Sequence, residues 1–315
     1  MRTTLIIPTR NAEPYLDALL AALELQTRQP DHVLVVDSSS SDATVPRLRA
    51  WGADVRVIDA SRFNHGGTRR WASEQTDADA LIYMTQDAVP ADPHSFAHLL
   101  AELDGAPDIG AAYGRQLPHA GADLLAVHAR AFNYPAQSQT KRLSDAPRLG
   151  IKTCFSSDAF CAYRHAAMDA VGGFPADVIG SEDAYLAARL LMAGYAVRYA
   201  ASACVYHSHD YTLLQEFKRY FDIGVFYGRE GWIRDAFGAA GGEGRRYVIS
   251  ELEMLKNSHQ LHRLPEALLR SGLKLVGYRL GHMEKWLPAS LKPHISMFGN
   301  YWRRPAVAGS DQRTG

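Results

Sequence analysis

The sequence predicts an α/β fold: an open, mixed but mostly parallel sheet flanked by helices, with a helical C-terminal extension. Two observations lead to this fold class. Through residues 3–85, short strands that are apolar on both faces alternate with helical segments, as in parallel sheets with right-handed crossovers. From residue 211 onward the apolar residues recur only at helical spacing. The composition is typical of a globular protein, with 47% hydrophobic and 22% charged residues.

Apolar runs separated by turn residues place the elements of the first part of the chain. The clearest signals are the helical spacing of Leu16, Leu19 and Leu23 and the apolar run that precedes Gln86. The predicted strands lie at residues 3–8, 32–37, 55–58 and 80–85. The predicted helices between them lie at residues 14–26, 43–51 and 68–76.

After Pro107 the pattern is less regular. Residues 116–150 contain three prolines and many polar groups, and we interpret them as a long insertion near the site. Further strands are predicted at residues 109–115, 157–163 and 195–199. Two helices that end at glycines are predicted at residues 164–171 and 182–193. The C-terminal helices are predicted at residues 211–228, 245–259 and 263–286.

We divide the chain into a first domain at residues 1–210, a helical region at residues 211–304 and a disordered tail at residues 305–315. Lys and Arg together equal Asp and Glu at 34 each, so the overall charge gives no reason to expect nucleic-acid binding. The 18 basic and 24 acidic side chains of residues 1–210 give a net charge of −6, and the remainder carries +6. This asymmetry suggests two regions with different partners.

The three cysteines, Cys154, Cys161 and Cys204, are odd in number and lack CxxC spacing, which excludes a disulfide scaffold or a zinc knuckle. A reducing cytoplasm is the simplest interpretation. The apolar run before Pro8 is too short for a signal peptide, and no stretch approaches 18 apolar residues. We therefore expect a cytoplasmic protein without a transmembrane helix.

Polar residues follow each of the four N-terminal strands, at the ends where ligands bind in open α/β sheets. Together these four strand ends predict a binding cleft. No GxGxxG motif follows the first strand and no GxxxxGK[ST] motif occurs, which argues against Rossmann dinucleotide binding and P-loop chemistry. The candidate residues of the cleft are Pro8, Thr9, Arg10, Asn11, Asp37, His65, Gly66, Gly67, Arg69, Gln86 and Asp87.

Two carboxylates of the cleft have specific candidate roles. Asp37 is placed to accept hydrogen bonds from a nucleoside base or a sugar hydroxyl, and its alternative role is to cap the turn that follows. Asp87 ends an apolar strand, and Mg²⁺ is usually held by one or two carboxylates together with substrate phosphates. The alternative for Asp87 is a structural turn before Pro90.

The glycine segment also has two interpretations. Gly66 and Gly67 allow close approach of the backbone to a ligand, the next helix offers free N–H groups to phosphate, and Arg69 and Arg70 add charge. The alternative is an ordinary glycine loop with solvated arginines.

Three residues of the later part are further candidates. Glu182 and Asp183 open a helix, where acidic side chains also suit the helix dipole, so a structural role is the alternative to a catalytic one. His207 is a candidate metal ligand. Residues 207 and 209 would face opposite sides of an extended chain, so we expect only one of them, His207, to point inward. The alternative for His207 is again structural.

In this order, Pro8-Thr9-Arg10-Asn11, Asp37 to Asp42, Gln86-Asp87-Ala88, Gly172-Gly173-Phe174 and Glu182-Asp183 resemble the family 2 inverting glycosyltransferases with the GT-A fold. The stretch Phe63-Asn64-His65-Gly66-Gly67-Thr68-Arg69 more closely resembles the rhamnosyltransferase branch of that family. The resemblance covers about residues 3–230. It departs from the family at Thr85 and Gln86, where other members carry acidic residues of the Asp-x-Asp metal motif, and at Arg70, where relatives often carry Asn.

The resemblance implies roles for these residues. Asp37 would contact the nucleoside base, and Asp87 would hold Mg²⁺ or Mn²⁺ together with His207 and the donor diphosphate. Asp183 would be the general base, which takes the proton of the acceptor hydroxyl. Glu182 would orient the acceptor or Asp183.

The implied activity is transfer of L-rhamnose from dTDP-β-L-rhamnose to a hydroxyl of a bacterial cell-surface glycan intermediate, with inversion to an α-linkage. The acceptor is expected to be lipid-linked. One alternative is a transferase for another hexose or deoxysugar. Another is a non-catalytic module that binds a sugar nucleotide, and a third, a nucleotidyltransferase, lacks the glycine-rich loop expected after the first strand.

The segment at residues 261–287 combines an apolar helical stripe with five basic and two acidic side chains. This pattern is typical of a helix on an anionic membrane surface, so we expect peripheral contact with the inner face of the cell membrane. The alternative is that the stripe packs on the rest of the chain or on a second copy in a homodimer.

Overall fold

The computed structural model describes residues 1–238 and 242–303, and in them nine strands form one sheet. The strands are β1 (Thr3–Thr9), β2 (His32–Asp37), β3 (Asp54–Val57), β4 (Ala80–Met84), β5 (Val89–Pro90), β6 (Ile109–Leu117), β7 (Gln139–Lys141), β8 (Phe160–Arg164) and β9 (Ala196–Tyr206). The predicted tail at residues 305–315 lies outside the described residues.

Helices cover both faces of the sheet and form the C-terminal part. The first seven are α1 (Glu13–Glu24), α2 (Thr44–Trp51), α3 (His65–Ser73), α4 (Ser95–Asp104), α5 (Leu124–Asn133), α6 (Ala146–Leu149) and α7 (His165–Ala170). They are followed by α8 (Glu182–Met192), α9 (Leu213–Arg229), α10 (Gly231–Phe237), α11 (Glu243–Asn257), α12 (Leu264–His282) and α13 (Lys292–Ile295).

The sheet is mixed, with strand order β3-β2-β1-β4-β8-β6-β9-β5 and β7 paired to β9. The first four strands in this order are parallel, so their carboxyl ends meet at one edge. Thr9 at the end of β1 lies opposite Asp37 at the end of β2. β8 is antiparallel to β4 and pairs Phe160 with Met84, so β8 begins at that same edge. The edge therefore collects residues from five segments of the chain.

Alternating side chains of the strands fill two hydrophobic cores, one on each face of the sheet. Leu5 and Ile7 of β1 pack in the core that contains the buried leucines of α1 and α4. Ile6 packs in the other core, which contains α8 and also Phe221 of α9. Both faces are covered, which explains why these strands are apolar throughout.

The structure corrects three sequence predictions. Residues 116–150 are not one irregular insertion, because they form α5, β7 and α6. The prolines misled the prediction, although Asp123 caps α5 by accepting the Leu125 N–H at 2.9 Å. A further helix, α4, was not predicted, and β9 extends to Tyr206 rather than ending at residue 199. Its pairing with β6 shifts register after Gly114, which lets a long strand continue past an irregularity.

Helix α12 packs on α9 through glycines, so the two backbones approach closely. A Cβ atom on Gly281 would lie 1.9 Å from the Phe221 carbonyl oxygen, and one on Gly224 would lie 2.1 Å from the Tyr278 carbonyl oxygen. The predicted stripe packs on the chain only in part: Leu280 and Leu287 contact the core that contains α8, whereas Leu268, Leu275, Val276 and Met283 are exposed. We define the apolar stripe as Leu268, Leu275, Val276, Met283 and Trp286, which are exposed by 49%, 51%, 49%, 54% and 85%.

The basic residues of the segment at residues 261–287 are less available than the sequence indicated. Arg263, Arg270 and Lys274 form ion pairs with carboxylates of this chain. Arg279 and Lys285 remain exposed beside the apolar stripe. None of the helices formed by residues 1–238 and 242–303 is long and apolar enough to cross a membrane.

Candidate active site

Asp87, His207 and His209 form a cluster at the carboxyl edge of the sheet. Asp87 follows β4, and the two histidines follow β9. Nε2 of His207 lies 3.5 Å from Oδ1 of Asp87, and Nε2 of His209 lies 3.6 Å from Oδ2. The two Nε2 atoms are 3.1 Å apart. Within the described residues this is the one group of three or more His, Cys, Asp or Glu side chains whose ligand atoms converge tightly enough for a metal ion.

Gln116 of β6 orients the His207 ring. Its Oε1 lies 2.9 Å from Nδ1 of His207, and its Nε2 donates to Ser157 Oγ at 2.8 Å, which fixes the amide orientation. Because the Gln116 carbonyl can only accept, Nδ1 of His207 carries the proton and Nε2 offers its lone pair to the cluster. Burial lowers the pKa of His207. Burial and the neighbouring His207 together lower the pKa of His209 to about 4. Both imidazoles are therefore neutral near pH 7, as metal ligands must be.

The participation of His209 corrects the sequence prediction that only one histidine points inward. That prediction assumed an extended chain at residues 207–209, but β9 ends at Tyr206. The alternation of side chains along β9 does not continue to His209, and the two rings meet edge to face with centroids 4.7 Å apart. Sequence spacing alone could not show that the strand ends before His207.

A buried ion-pair network lies beneath Glu182. The Arg69 guanidinium is only 5% exposed, and it places Nη1 2.8 Å from Glu182 and Nε 3.2 Å from Asp158. Asp158 also accepts the Tyr163 hydroxyl at 2.7 Å. Arg69, predicted to contact the donor, is in this structure directed at two carboxylates of the chain, and its contact with a donor stays a prediction.

Asp158 is a site residue that the sequence analysis missed. It lies two residues before β8, which begins at the carboxyl edge because β8 runs antiparallel to β4. A charged residue at the start of the strand predicted at residues 157–163 was the available signal. It could be interpreted only once the direction of β8 was known.

Asp183 lies at the start of α8, next to Glu182, and remains partly exposed. Its Oδ1 accepts the Ala184 N–H at 2.7 Å. Burial among protein atoms and the neighbouring Glu182 charge raise the pKa of Asp183 to about 7. A carboxylate with this pKa exchanges a proton readily near neutral pH, which is the property of a general base.

Residues that follow β1, β2 and β4 hold one another in place. Asp37 is fully buried, and its carboxylate accepts the Thr9 hydroxyl at 2.9 Å and the Ser40 N–H at 2.8 Å. Gln86 accepts the Arg10 N–H at 2.7 Å and donates to the Arg10 carbonyl at 3.1 Å. These contacts fit the capping alternative for Asp37. Its contact with a nucleoside base stays a prediction, as do the ligand contacts of Pro8, Thr9, Arg10, Asn11 and Gln86.

The glycine segment opens α3. Asn64 caps the helix by accepting the Gly67 N–H at 2.8 Å, so that N–H is not free for phosphate. Gly66 is needed for packing, because a Cβ atom there would lie 1.9 Å from the Pro175 carbonyl oxygen. His65 places Nδ1 4.0 Å from Glu182. The segment thus connects α3 to the loop before α8, and its contact with a ligand stays a prediction.

A cavity of about 670 Å³ adjoins Asp87, His207 and His209, the candidate metal site that we call the metal cluster. It lies between the cluster and helices α5, α9, α11 and α12, and it is lined by polar and aromatic side chains. Those that face the cluster side include His209, Tyr211, Arg130, Arg219 and Tyr134. The sequence analysis did not anticipate the cavity, because α5 lies in the segment interpreted as an insertion.

The comparison with known proteins agrees with this geometry. Residues 4–172 match the description "Glycosyl transferase family 2", which is more than half of the chain. The chain belongs to glycosyl transferase family 2. It is therefore an enzyme, a glycosyltransferase, as the motifs predicted. The family's Asp-x-Asp motif is incomplete here, and in the structure His207 and His209 stand beside the remaining Asp87.

Two curated relatives within this family match over nearly the whole chain. The O-antigen chain rhamnosyltransferase RfbN of Salmonella typhimurium is 45% identical over 99% of both chains. The O-antigen chain rhamnosyltransferase WbaN of Salmonella anatum is 42% identical over 98% of both chains.

Solved glycosyltransferases share the fold. The mannosyltransferase PcManGT of Pyrobaculum calidifontis, solved in complex with GDP-Man and Mn²⁺, superposes with a TM-score of 0.58 at 18% identity, over 96% of this chain and 88% of that one. TarS of S. aureus superposes with a TM-score of 0.52 at 16% identity, over 96% of this chain and 54% of that one. These likenesses confirm the predicted GT-A fold.

Proposed function

We propose that this glycosyltransferase moves L-rhamnose from dTDP-β-L-rhamnose to a hydroxyl of a bacterial cell-surface glycan intermediate of the O-antigen type. The observation that carries this proposal is the full-length likeness to two O-antigen chain rhamnosyltransferases at 45% and 42% identity. Because the identity extends over nearly the whole of both chains, it includes the regions that would bind the donor and the acceptor as well as the core of the fold.

Asp183 is the general base of the proposed reaction. Its carboxylate takes the proton of the acceptor hydroxyl, whose oxygen forms a bond to the anomeric carbon from the face opposite the donor diphosphate. The bond between that carbon and the diphosphate oxygen breaks, and its electron pair leaves with dTDP. Attack from the opposite face converts the β-linked donor into an α-L-rhamnoside. The raised pKa of Asp183 suits it to this step.

Glu182 and Arg69 have supporting roles in the proposal. The ion pair between them neutralises the carboxylate next to the base and fixes the start of α8. Glu182 is thereby unable to compete for the acceptor proton, and Asp183 keeps that role.

Asp87, His207 and His209 would hold a divalent cation. Their donor set of one carboxylate and two imidazoles favours a transition ion such as Mn²⁺ over Mg²⁺, which prefers oxygen ligands. Gln116 fits this assignment, because it leaves the His207 Nε2 lone pair free for a metal. A cation bound there supplies positive charge to the departing diphosphate.

A donor screen tests the proposed sugar. Purified protein is incubated with dTDP-L-rhamnose, dTDP-glucose, UDP-glucose and GDP-mannose, each with Mn²⁺, Mg²⁺ or EDTA, and slow donor hydrolysis is followed. The proposal predicts the fastest turnover of dTDP-L-rhamnose, and the Asp183→Asn variant controls for contaminating hydrolases. Preference for another donor would replace the sugar while leaving the glycosyltransferase assignment intact.

We further propose that the apolar stripe, which spans α12 and the residues that follow it, rests on the inner face of the cell membrane, where a lipid-linked acceptor would lie. The stripe leaves Trp286 85% exposed, and exposed Arg279 and Lys285 lie beside it. An apolar face with Trp and Leu beside basic residues binds an anionic interface reversibly. Because three other basic residues of this segment are ion-paired within the chain, the apolar contribution should dominate.

Sedimentation with anionic liposomes tests this contact. Wild-type protein should sediment with the vesicles, and Leu275→Asp combined with Val276→Asp should abolish sedimentation while the protein stays folded. Leu25→Asp, at a leucine exposed by 67% outside the stripe, is the matched control and should sediment normally. A stable dimer in solution that the double variant splits, with no liposome binding, would instead assign the stripe to contact between copies.

A further inference from the structure

The cavity beside the metal cluster contains two arginines that lack a carboxylate partner. Arg130 projects from α5 and Arg219 from α9, and both line the cavity. Arg130 donates to the Gln116 carbonyl oxygen, and Arg219 lies 3.4 Å from the Tyr211 hydroxyl. In the part of the chain that the structure describes, no ion pair joins either guanidinium to Asp or Glu. The two guanidinium groups therefore bring positive charge to the cavity without a direct ion pair, and the Asp87 charge acts on Arg130 only from a longer distance.

Other basic residues of the same cavity differ in this respect. Arg270 pairs with Glu216 at 3.1 Å and with Glu266 at 2.9 Å, and Lys274 lies 3.4 Å from Glu216. Glu216 of α9 is thus paired with two basic residues of α12. Arg270 and Lys274 are therefore ion-paired, whereas Arg130 and Arg219, on the side of the metal cluster, are not.

Arg130 and Arg219 are connected to the cluster through shared neighbours. Gln116 accepts from Arg130 and also from the His207 ring. The Arg219 guanidinium lies 5.5 Å from the centre of the Tyr211 ring, and that ring lies 5.1 Å from the ring of His209. Burial lowers the pKa of Arg130, and the nearby Arg219 charge lowers it further. An anion between the two arginines would favour their charged forms and offset the repulsion between them.

We propose that Arg130 and Arg219 bind a diphosphate group of the substrate beside the metal cluster. Guanidinium groups recognise phosphate oxygens through paired N–H donors, so two of them can engage the several oxygens of a diphosphate. The dTDP moiety of the donor carries such a group, and a phosphate that joins the acceptor to its lipid shares this chemistry. The proposal rests on the proposed function only for the identity of these substrates.

Calorimetry with inorganic pyrophosphate in EDTA tests the arginines without the metal and without any sugar. Wild-type protein should bind pyrophosphate, and Arg130→Gln and Arg219→Gln should each weaken binding about 10- to 100-fold, as expected for hydrogen bonds between charged groups. Lys274→Gln is the matched control, because it removes a positive charge of the same cavity that Glu216 already compensates. Its affinity should stay at the wild-type value. Arg→Lys variants, which keep the charge, should recover part of the binding.

Two further arms identify the source of the diphosphate. Weaker dTDP binding by both Gln variants assigns the pair to the donor. Unchanged dTDP binding with a raised KM for a phosphate-linked lipid acceptor assigns it to the acceptor. Because pyrophosphate carries no base or sugar, the calorimetry with pyrophosphate remains a valid test of the two arginines even if the donor is not dTDP-L-rhamnose.

Wild-type pyrophosphate affinity in a folded variant that combines Arg130→Gln with Arg219→Gln would overturn the proposal. So would a variant that loses Mn²⁺ binding but keeps pyrophosphate binding, since Arg130 would then act only by positioning Gln116.

Discussion

The Arg69 guanidinium lies 2.8 Å from the Glu182 carboxylate, and both groups are buried. This ion pair distinguishes two acidic residues that are adjacent in sequence. The nearby Arg69 charge holds the pKa of Glu182 below its usual range, although burial opposes this. The pKa of Asp183 is raised to about 7 instead. The two carboxylates thus have different properties at neutral pH, and only Asp183 is poised to accept a proton.

The pH dependence of turnover follows from this difference. A base must be ionised to act, so kcat should rise about tenfold per pH unit below 7 and level off above it. Turnover at saturating donor and acceptor, measured between pH 5 and 9 with constant ionic strength, checks this. A rate that is already constant from pH 5 upward would mean that the base ionises with an ordinary carboxylate pKa.

Arg69 should also be essential for stability. Arg69→Met leaves Glu182 and Asp158 buried without their cation, which should cost about 3–5 kcal/mol of unfolding free energy. Arg70→Met is the matched control, since its ion pair with Glu74 is half exposed and should contribute less than about 1 kcal/mol. Urea unfolding of both variants measures the contrast. Equal stabilities would show that the network beneath the site is not structurally important.

Removing one ligand should remove the metal. Asp87→Ala and His209→Ala should each abolish Mn²⁺ binding and the metal-dependent part of dTDP binding, as measured by calorimetry. Gln116→Leu frees the His207 ring and should weaken Mn²⁺ binding about 10- to 100-fold. His94→Ala, at an exposed histidine outside the cluster, is the control. Mn²⁺ affinity that survives in His209→Ala would restrict the site to Asp87 and His207.

The glycine contact between α9 and α12 makes a prediction about packing. Gly281→Ala places a methyl group against the Phe221 carbonyl and should cost about 1–3 kcal/mol of stability. Gly272 lies on the same helix with nothing within 4 Å of an added Cβ atom. Gly272→Ala should therefore be neutral or stabilise the protein by up to about 1 kcal/mol, because alanine favours the helix. Thermal unfolding compares them, and similar losses in both variants would argue against the close approach.

The strands and helices whose own spacing of apolar residues shows how they are buried could be predicted from the sequence. Leu5, Ile6 and Ile7 are apolar because both faces of the sheet are covered, and the sequence shows this directly. The segment at residues 116–150 was not predictable in this way. Its prolines lie between short elements whose stability comes from tertiary contacts, such as the hydrogen bond from the Tyr199 hydroxyl to the Pro135 carbonyl.

The same distinction applies to the residues of the candidate site. Asp87, Glu182, Asp183 and His207 were identified because strand ends and family motifs mark them. His209, Asp158, Arg130 and Arg219 were not, since each reaches the site through a strand end, a strand direction or a helix that sequence spacing does not specify. Arg69 was identified as a site residue, but its direction toward Asp158 and Glu182 depends on how α3 packs against β8 and α8.

The central claim is that Asp183 is the base of an inverting sugar transfer, and the rate of the Asp183→Asn variant tests it most directly. Transfer from dTDP-L-rhamnose to the glycan acceptor is measured for wild type and variant at saturating donor, with dTDP affinity determined in parallel. The account predicts unchanged dTDP affinity and a transfer rate lower by at least about 10²-fold, the contribution of a positioned base. Near-wild-type transfer by a folded variant with normal dTDP affinity would contradict it.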